Sequence, residues 1–249
     1  MDLGLKGKTA LVIGASRGLG AASARLLAEE GAYVIAASRS GDAPAEGMEG
    51  LKLDLSDAAS VDALLARLAE QPVDIVVNNC GGPAAGPAMG QSTAAWVAAF
   101  EAMATPIFAI TNAALPGMIA AGWGRVVTIG SSGVVQPIPN LALSNGVRGA
   151  VAGWSKTLAE EVAPHGITVN MVLPGRIATD RVAQLDGIKA EKSGASLDAV
   201  QEASRKTIPA GRYGDPEEFA AMVTFLCSTR AAFVTGSMIR VDGGMIRGM

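Results

Sequence analysis

The feature that most constrains this chain is an alternation of short apolar runs with segments of helical spacing. Runs at residues 9–13, 33–36, 51–53, 73–77, 125–129, 167–172 and 238–241 are rich in Val, Ile and Leu. Such short runs suit strands buried on both faces. Helical periodicity lies between most of them, for example at residues 21–30 and 61–69. Strand after helix after strand predicts an α/β fold: a Rossmann-type doubly wound parallel sheet of about seven strands, with helices on both faces. No Pro-, Ser- or charge-rich linker divides residues 1–249, so a single domain is expected. Residues 180–206 are the exception, a polar stretch without an apolar run. They read as a mobile lid over the substrate site or as a surface excursion.

Composition narrows the class further. At 249 residues the chain can bury a sizeable core, and its 49% hydrophobic share excludes disorder as the main state. Charged residues make up only 17%, against a usual share of about 25%, which points to surface covered by further copies of the chain. The net charge of −3 and the lack of a basic run argue against a nucleic-acid partner. Cys80 and Cys227 have no metal-ligand spacing, so no metal site is expected, and a reducing cytoplasm is the default. Residues 102–124 carry no charge over a length that could span a bilayer. Pro106, Pro116, Gly117 and Gly122 interrupt them, which favours a buried or interface helix over a membrane span.

In an open parallel sheet, ligands bind at the carboxyl ends of the strands. There, Gly14-Ala15-Ser16-Arg17-Gly18-Leu19-Gly20 follows the first strand and opens a helix. Its glycines permit a tight turn and bring backbone amides close to a diphosphate at the positive end of the helix. Taken alone, such a turn can also serve plain packing.

Further motifs follow in order, and with them the chain resembles the short-chain dehydrogenase/reductase family over nearly its whole length. Gly14, Gly18 and Gly20 match the family's Gly-x-x-x-Gly-x-Gly, Asp54-Leu55 the adenine-side acid, and Asn78-Asn79-Cys80-Gly81 its Asn-Asn-Ala-Gly. Pro174-Gly175-Arg176-Ile177-Ala178-Thr179 matches Pro-Gly-x-Ile-x-Thr, which in the family holds the nicotinamide carboxamide. Gly236 and Val241-Asp242-Gly243-Gly244 match its closing strand. The resemblance implies a nicotinamide dinucleotide. At the end of the second strand stands Ser38, where an acid would bind the ribose hydroxyls of NAD; Arg39 and Arg17 lie nearby, which favours NADP(H) over NAD(H). The alternative is that both arginines are merely solvated.

The catalytic half departs from the family. Ser131 matches the family's carbonyl-binding Ser. Alignment back from Trp154-Ser155-Lys156-Thr157-Leu158-Ala159 places Ser144 at the proton-donating Tyr, Arg148 at the Lys and Met103 at the Asn. The only tyrosines, Tyr33 and Tyr213, are followed four residues on by Ala37 and Glu217, so no Tyr-x-x-x-Lys exists in the chain. A phenol titrates near 10 and an aliphatic hydroxyl several units higher, each unit costing about 1.4 kcal/mol, so Ser144 is a poor general acid. Arg148 cannot shuttle protons, but it could bind ribose hydroxyls or offset a growing oxyanion. The other reading of the pair is small and polar filling of a vacant pocket. Ser132 could share the hydroxyl role; Lys156 reads as solvated, Cys80 as space-filling, and His165 lies at the far end of the sheet.

Three functions stay open. The first is an NADP(H)-dependent oxidoreductase reducing a carbonyl or activated double bond, its proton coming from water or through Ser144. A catalytically silent dinucleotide-binding sensor or partner subunit is the second, and a non-redox lyase or isomerase using Ser131 and Arg148 the third. The pocket walls expected at 82–89, 133–143 and 180–206, read together as mostly small or apolar, suggest a hydrophobic small-molecule substrate. In family members the two long helices near residues 102–121 and 141–162 pack against a second subunit, which implies a homodimer or homotetramer.

Overall fold

The computed structural model describes residues 1–248. Along the chain run β1 (Thr9–Ile13), α1 (Gly18–Glu29), β2 (Tyr33–Ser38), β3 (Glu49–Lys52), α2 (Ala58–Glu70), β4 (Ile75–Asn78), α3 (Thr93–Met103) and α4 (Thr105–Ala121). Then come β5 (Gly124–Ile129), α5 (Ala142–Val162), β6 (Ile167–Pro174), α6 (Asp180–Ser193), α7 (Leu197–Arg205), α8 (Pro216–Cys227) and β7 (Met238–Val241). The strands form one sheet in the order β3-β2-β1-β4-β5-β6-β7, with every pairing parallel. The chain winds outward from β1 to β3 and returns at β4, which opens a crevice beyond the ends of β1 and β4.

Side-chain alternation along the strands divides the core into two layers. Val12, Val34, Val77, Val127 and Val172 face α1 and α8, where Ala24, Leu27, Phe219 and Val223 cover them. Leu11, Ile35, Val76, Val126 and Val169 face the other way, onto Leu64 and Leu68 of α2, Ile110 and Met118 of α4 and Leu158 of α5. The apolar stretch at 102–124 is thereby explained: α4 spends its hydrophobic residues on the sheet. Thr93–Ala121 is long and apolar enough to cross a membrane by length and composition. The chain breaks at Ala104, however, which closes α3 and opens α4.

The polar stretch at 180–206, which lacks an apolar run, forms two helices. Thr179 and Ser196 cap two successive helices, and Gly194, in the left-handed conformation, ends the first. What replaces an apolar stripe on α6 is a buried carboxylate. Asp186, 1% exposed, pairs with Arg176 and accepts from the Tyr213 hydroxyl at 2.7 Å. Helical periodicity is blind to a helix docked through polar atoms.

Candidate functional site

The turn between β1 and α1 is made by glycines because nothing else fits. Gly14 and Gly18 have φ of +67° and +58°. A methyl on Gly14 would stand 2.6 Å from Asn79 Nδ2, and one on Gly20 would collide with the Gly14 carbonyl oxygen. Asn79 Nδ2 donates to that oxygen at 3.2 Å, and the Ala15 amide to Ala37 at 3.1 Å, so the turn is tied to β4 and β2. The N-cap of α1 is Arg17, whose side chain accepts nothing from the helix. By contrast, side chains cap α2, α3, α6, α7 and α8. The first-turn amides around Gly18, Leu19 and Gly20 are therefore left for an anionic ligand. Ser16 and Arg17 are exposed beside them. This cradle fits a dinucleotide's diphosphate.

At the end of β2, Ser38 is buried; its Oγ accepts from the Gly41 amide at 3.2 Å and lies 3.2 Å from Ser40 Oγ. No carboxylate occupies that strand end, and Arg39 is exposed next to it. Asp54 and Leu55 are half-buried after β3. The Ser56 hydroxyl and amide bond the Asp54 carboxylate at 2.6 and 3.0 Å and hold its pKa below the ordinary value.

Beyond β4, one assignment needs correction. Asn78 is fully buried, and its amide donates to Thr111 Oγ1 on α4 at 3.0 Å, so it bonds the sheet to that helix and does not reach the cleft. Its Oδ1 has no partner among the described residues. Asn79 holds the glycine turn, Cys80 is half-buried, and Gly81 is exposed, with open space where a methyl would stand. Burial pushes the Cys80 thiol up, in keeping with a space-filling role.

Across the crevice, a methyl on Gly175 would stand 2.6 Å from Asp242 Cα, while its amide donates to Val241 at 2.9 Å. Pro174 ends β6, and Ile177 is buried and bridged to Gly214. Thr179 caps α6 through Oγ1 and lies 3.6 Å from where a methyl on Gly18 would be, so this loop meets the glycine turn.

Ser131, Ser144 and Arg148 stand at the end of β5 and on the first turns of α5. Ser131 Oγ accepts from the Gly133 amide at 3.0 Å, which leaves its hydrogen free to donate. Ser144 is half-buried. Arg148 differs from the expectation of a group free for ribose or oxyanion. Its Nη1 donates to the carbonyls of Ile129 and Gly130 at 3.2 and 3.3 Å, and Nη2 to that of Cys80 at 3.3 Å. The guanidinium staples β5 to the loop after β4, above a cavity of about 10 Å³ that Met103 helps to line.

Of the lesser readings, Ser132 is buried, while Lys156 is exposed as expected, its Nζ donating to the Gly236 carbonyl at 3.2 Å. His165 is exposed just before β6, at the opposite end of the sheet. Neither phenol is free, since Tyr33 bonds Glu49 and Tyr213 bonds Asp186. Missed in the sequence was Asn145, which exchanges bonds with the Ile138 amide and carbonyl and so fixes the loop before α5. No periodicity or motif signals it.

Comparison with known proteins gives the family. The family described as Enoyl-(Acyl carrier protein) reductase matches residues 14–246. The chain is 39% identical over 254 residues to the 3-oxoacyl-(acyl-carrier-protein) reductase FabG of Vibrio cholerae, covering 98% of this chain and 99% of that one. It is 37% identical to FabG of Escherichia coli over the same length, with the same coverage. Among solved structures, L-sorbose reductase from Gluconobacter frateurii, complexed with NADPH and L-sorbose, superposes with a TM-score of 0.92 at 29% identity, covering both chains fully. YwfH, an NADPH-dependent reductase involved in bacilysin biosynthesis, gives 0.91 at 28% identity over 97% of this chain and 99% of that one. Matched by that family over residues 14–246 and by these relatives over almost its full length, the chain belongs to the short-chain dehydrogenase/reductase family of oxidoreductases.

Proposed function

We propose that this protein is an NADP(H)-dependent reductase of a carbonyl or activated double bond, working without the family's Tyr and Lys. The observation that carries the reading is the meeting of the uncapped α1 terminus with Thr179, beside a β2 end that bears Arg39 and no acid. Gly14, Gly18, Leu19 and Gly20 would hold the diphosphate; Arg17 and Arg39 would hold the 2′-phosphate by charge-assisted bonds. Asp54, Leu55, Asn79, Cys80 and Gly81 would line the adenosine side, and Pro174, Gly175, Ile177 and Thr179 the nicotinamide side. NADPH, when bound, supplies a hydride. Ser131, with its hydrogen free, would position the substrate oxygen, and Ser144 or water would deliver the proton. Orientation alone supplies much of such a rate. Residues 180–206 would close over a hydrophobic small substrate, in a homo-oligomer in the cytoplasm. The named NADPH-dependent relatives support the cofactor choice.

A second reading, a dinucleotide binder without turnover, is favoured by Arg148. A guanidinium bonded to three backbone carbonyls is suited to holding the strand ends and not to moving protons. One experiment separates the two: NADPH fluorescence titration, then NADPH oxidation across ketoacyl thioesters, diketones, quinones and enones. Substrate-dependent oxidation by the natural chain supports the reductase. Tight binding with no turnover, and activity appearing only in Ser144→Tyr/Arg148→Lys, supports the silent binder.

A further inference from the structure

One cation at the cleft has no part in the reading above. Arg181 lies on the first turn of α6 and is exposed. A methyl placed on Gly82 would stand 3.8 Å from its Nη2, so the side chain crosses from α6 to the loop that leaves β4. Its Nη1 donates to Gln184 Oε1 at 3.1 Å. Among the described residues it makes no ion pair, and neither do Arg17, Arg39 and Arg148. Arg25, Arg67, Arg176, Arg205 and Arg212, in contrast, each face a carboxylate. Arg125, Arg230, Arg240 and Arg247 lack an ion pair among the described residues too, but Arg17, Arg39, Arg148 and Arg181 stand at the carboxyl ends of the strands.

The helix that carries Arg181 is fixed at two places. Thr179 caps it and abuts Gly18, and about two turns further on Asp186 binds Arg176 and Tyr213. Arg181 sits between these anchors, so its reach toward Gly82 is set by the scaffold. Thr179 at Gly18 and Arg181 at Gly82 span the glycine turn and the β4 loop, the two walls between which a diphosphate would run.

We propose that Arg181 is a strap that binds the cofactor's diphosphate from the α6 side, complementing the uncapped amides of α1. This rests on the dinucleotide reading of the same site. The diphosphate is common to NADPH and NADH, so Arg181 contributes to the affinity of both. Arg39, by contrast, separates them through the 2′-phosphate.

The test uses the purified full chain, with NADPH and NADH titrated by fluorescence and adenosine 2′-phosphate as a competitor that lacks the diphosphate. In Arg181→Met both dinucleotide Kd values rise together by about tenfold, equivalent to about 1.4 kcal/mol, while adenosine 2′-phosphate binds as before. Arg181→Lys recovers most of the loss. Unchanged affinity for both dinucleotides in Arg181→Met overturns the strap and leaves the cofactor reading standing. If the natural chain binds neither dinucleotide, both fall. Unchanged dinucleotide affinity together with a raised KM for acidic substrates alone would assign the guanidinium to a substrate anion and overturn the proposal as stated.

Discussion

Single positions in this protein are decided by space and by unpaired polar groups. Gly20 shows the first. Its Cα lies against the Gly14 carbonyl, so a methyl must displace the β1–α1 turn. Gly20→Ala is expected to weaken NADPH binding more than tenfold and to lower stability by about 1–3 kcal/mol, measured by fluorescence titration and urea denaturation. Arg125 shows the second. It is 2% exposed, donates to the carbonyls of Gly124, Gly166 and Ser228, and stacks over Trp123 at 4.3 Å. Burial pulls its pKa down. Removing the guanidinium leaves carbonyls without donors, so Arg125→Met should cost about 2–4 kcal/mol in urea denaturation with catalysis at 25 °C otherwise intact. A loss of less than about 0.5 kcal/mol would show those bonds to be replaceable by water.

Among elements, α6 and α8 are held by charge in different ways. Asp186 on α6 is buried between Arg176, itself 27% exposed, and the Tyr213 hydroxyl. Asp186→Ala removes the only buried side chain of that helix. A loss of about 2 kcal/mol is expected, less than for a fully buried pair because the arginine keeps access to water. Proteolysis should then cut first within residues 180–206; cleavage elsewhere with 180–206 intact would deny the anchor. For α8, the Arg212 guanidinium, and after it the Asp215 amide, hold the Glu218 carboxyl down to about 2 from an ordinary 4.5. A pKa lowered by folding stabilises above the unfolded value and ceases to do so as pH falls through the folded one. The contribution of Glu218 is therefore complete above about pH 4.5 and fades toward about pH 2. Urea melts over that window should lose stability less steeply in Glu218→Gln than in the natural chain.

At the scale of the whole molecule, apolar surface remains to be covered. On α3, Trp96, Val97 and Phe100 are 36%, 49% and 38% exposed, and Phe233 before β7 is fully so. A groove of about 540 Å³ lies between α8 and β7, lined by Met222, Phe225 and Val241 among others. Contiguous apolar faces of this kind are usually contact surfaces. Light scattering is expected to give a dimer or tetramer, and Val97→Glu/Phe100→Glu should shift it toward smaller species. A natural chain that runs as a monomer would refute the expectation.

The sequence by itself determined the sheet, its parallel sense, the glycine turn and the family, because period, chain reversal at Gly and motif order are local or nearly local signals. Strand ends were displaced by only a few residues, as at Ser38 and Asn78. Tertiary structure alone decided which way side chains turn once strands and helices converge. Asn78, at a cofactor motif, faces α4; Arg148, at a catalytic position, is bonded to carbonyls from two strand ends; and 180–206 becomes helical by burying one carboxylate. Each of these depends on partners 10 to 68 residues away along the chain, and a sequence separation of that kind leaves no trace in local pattern.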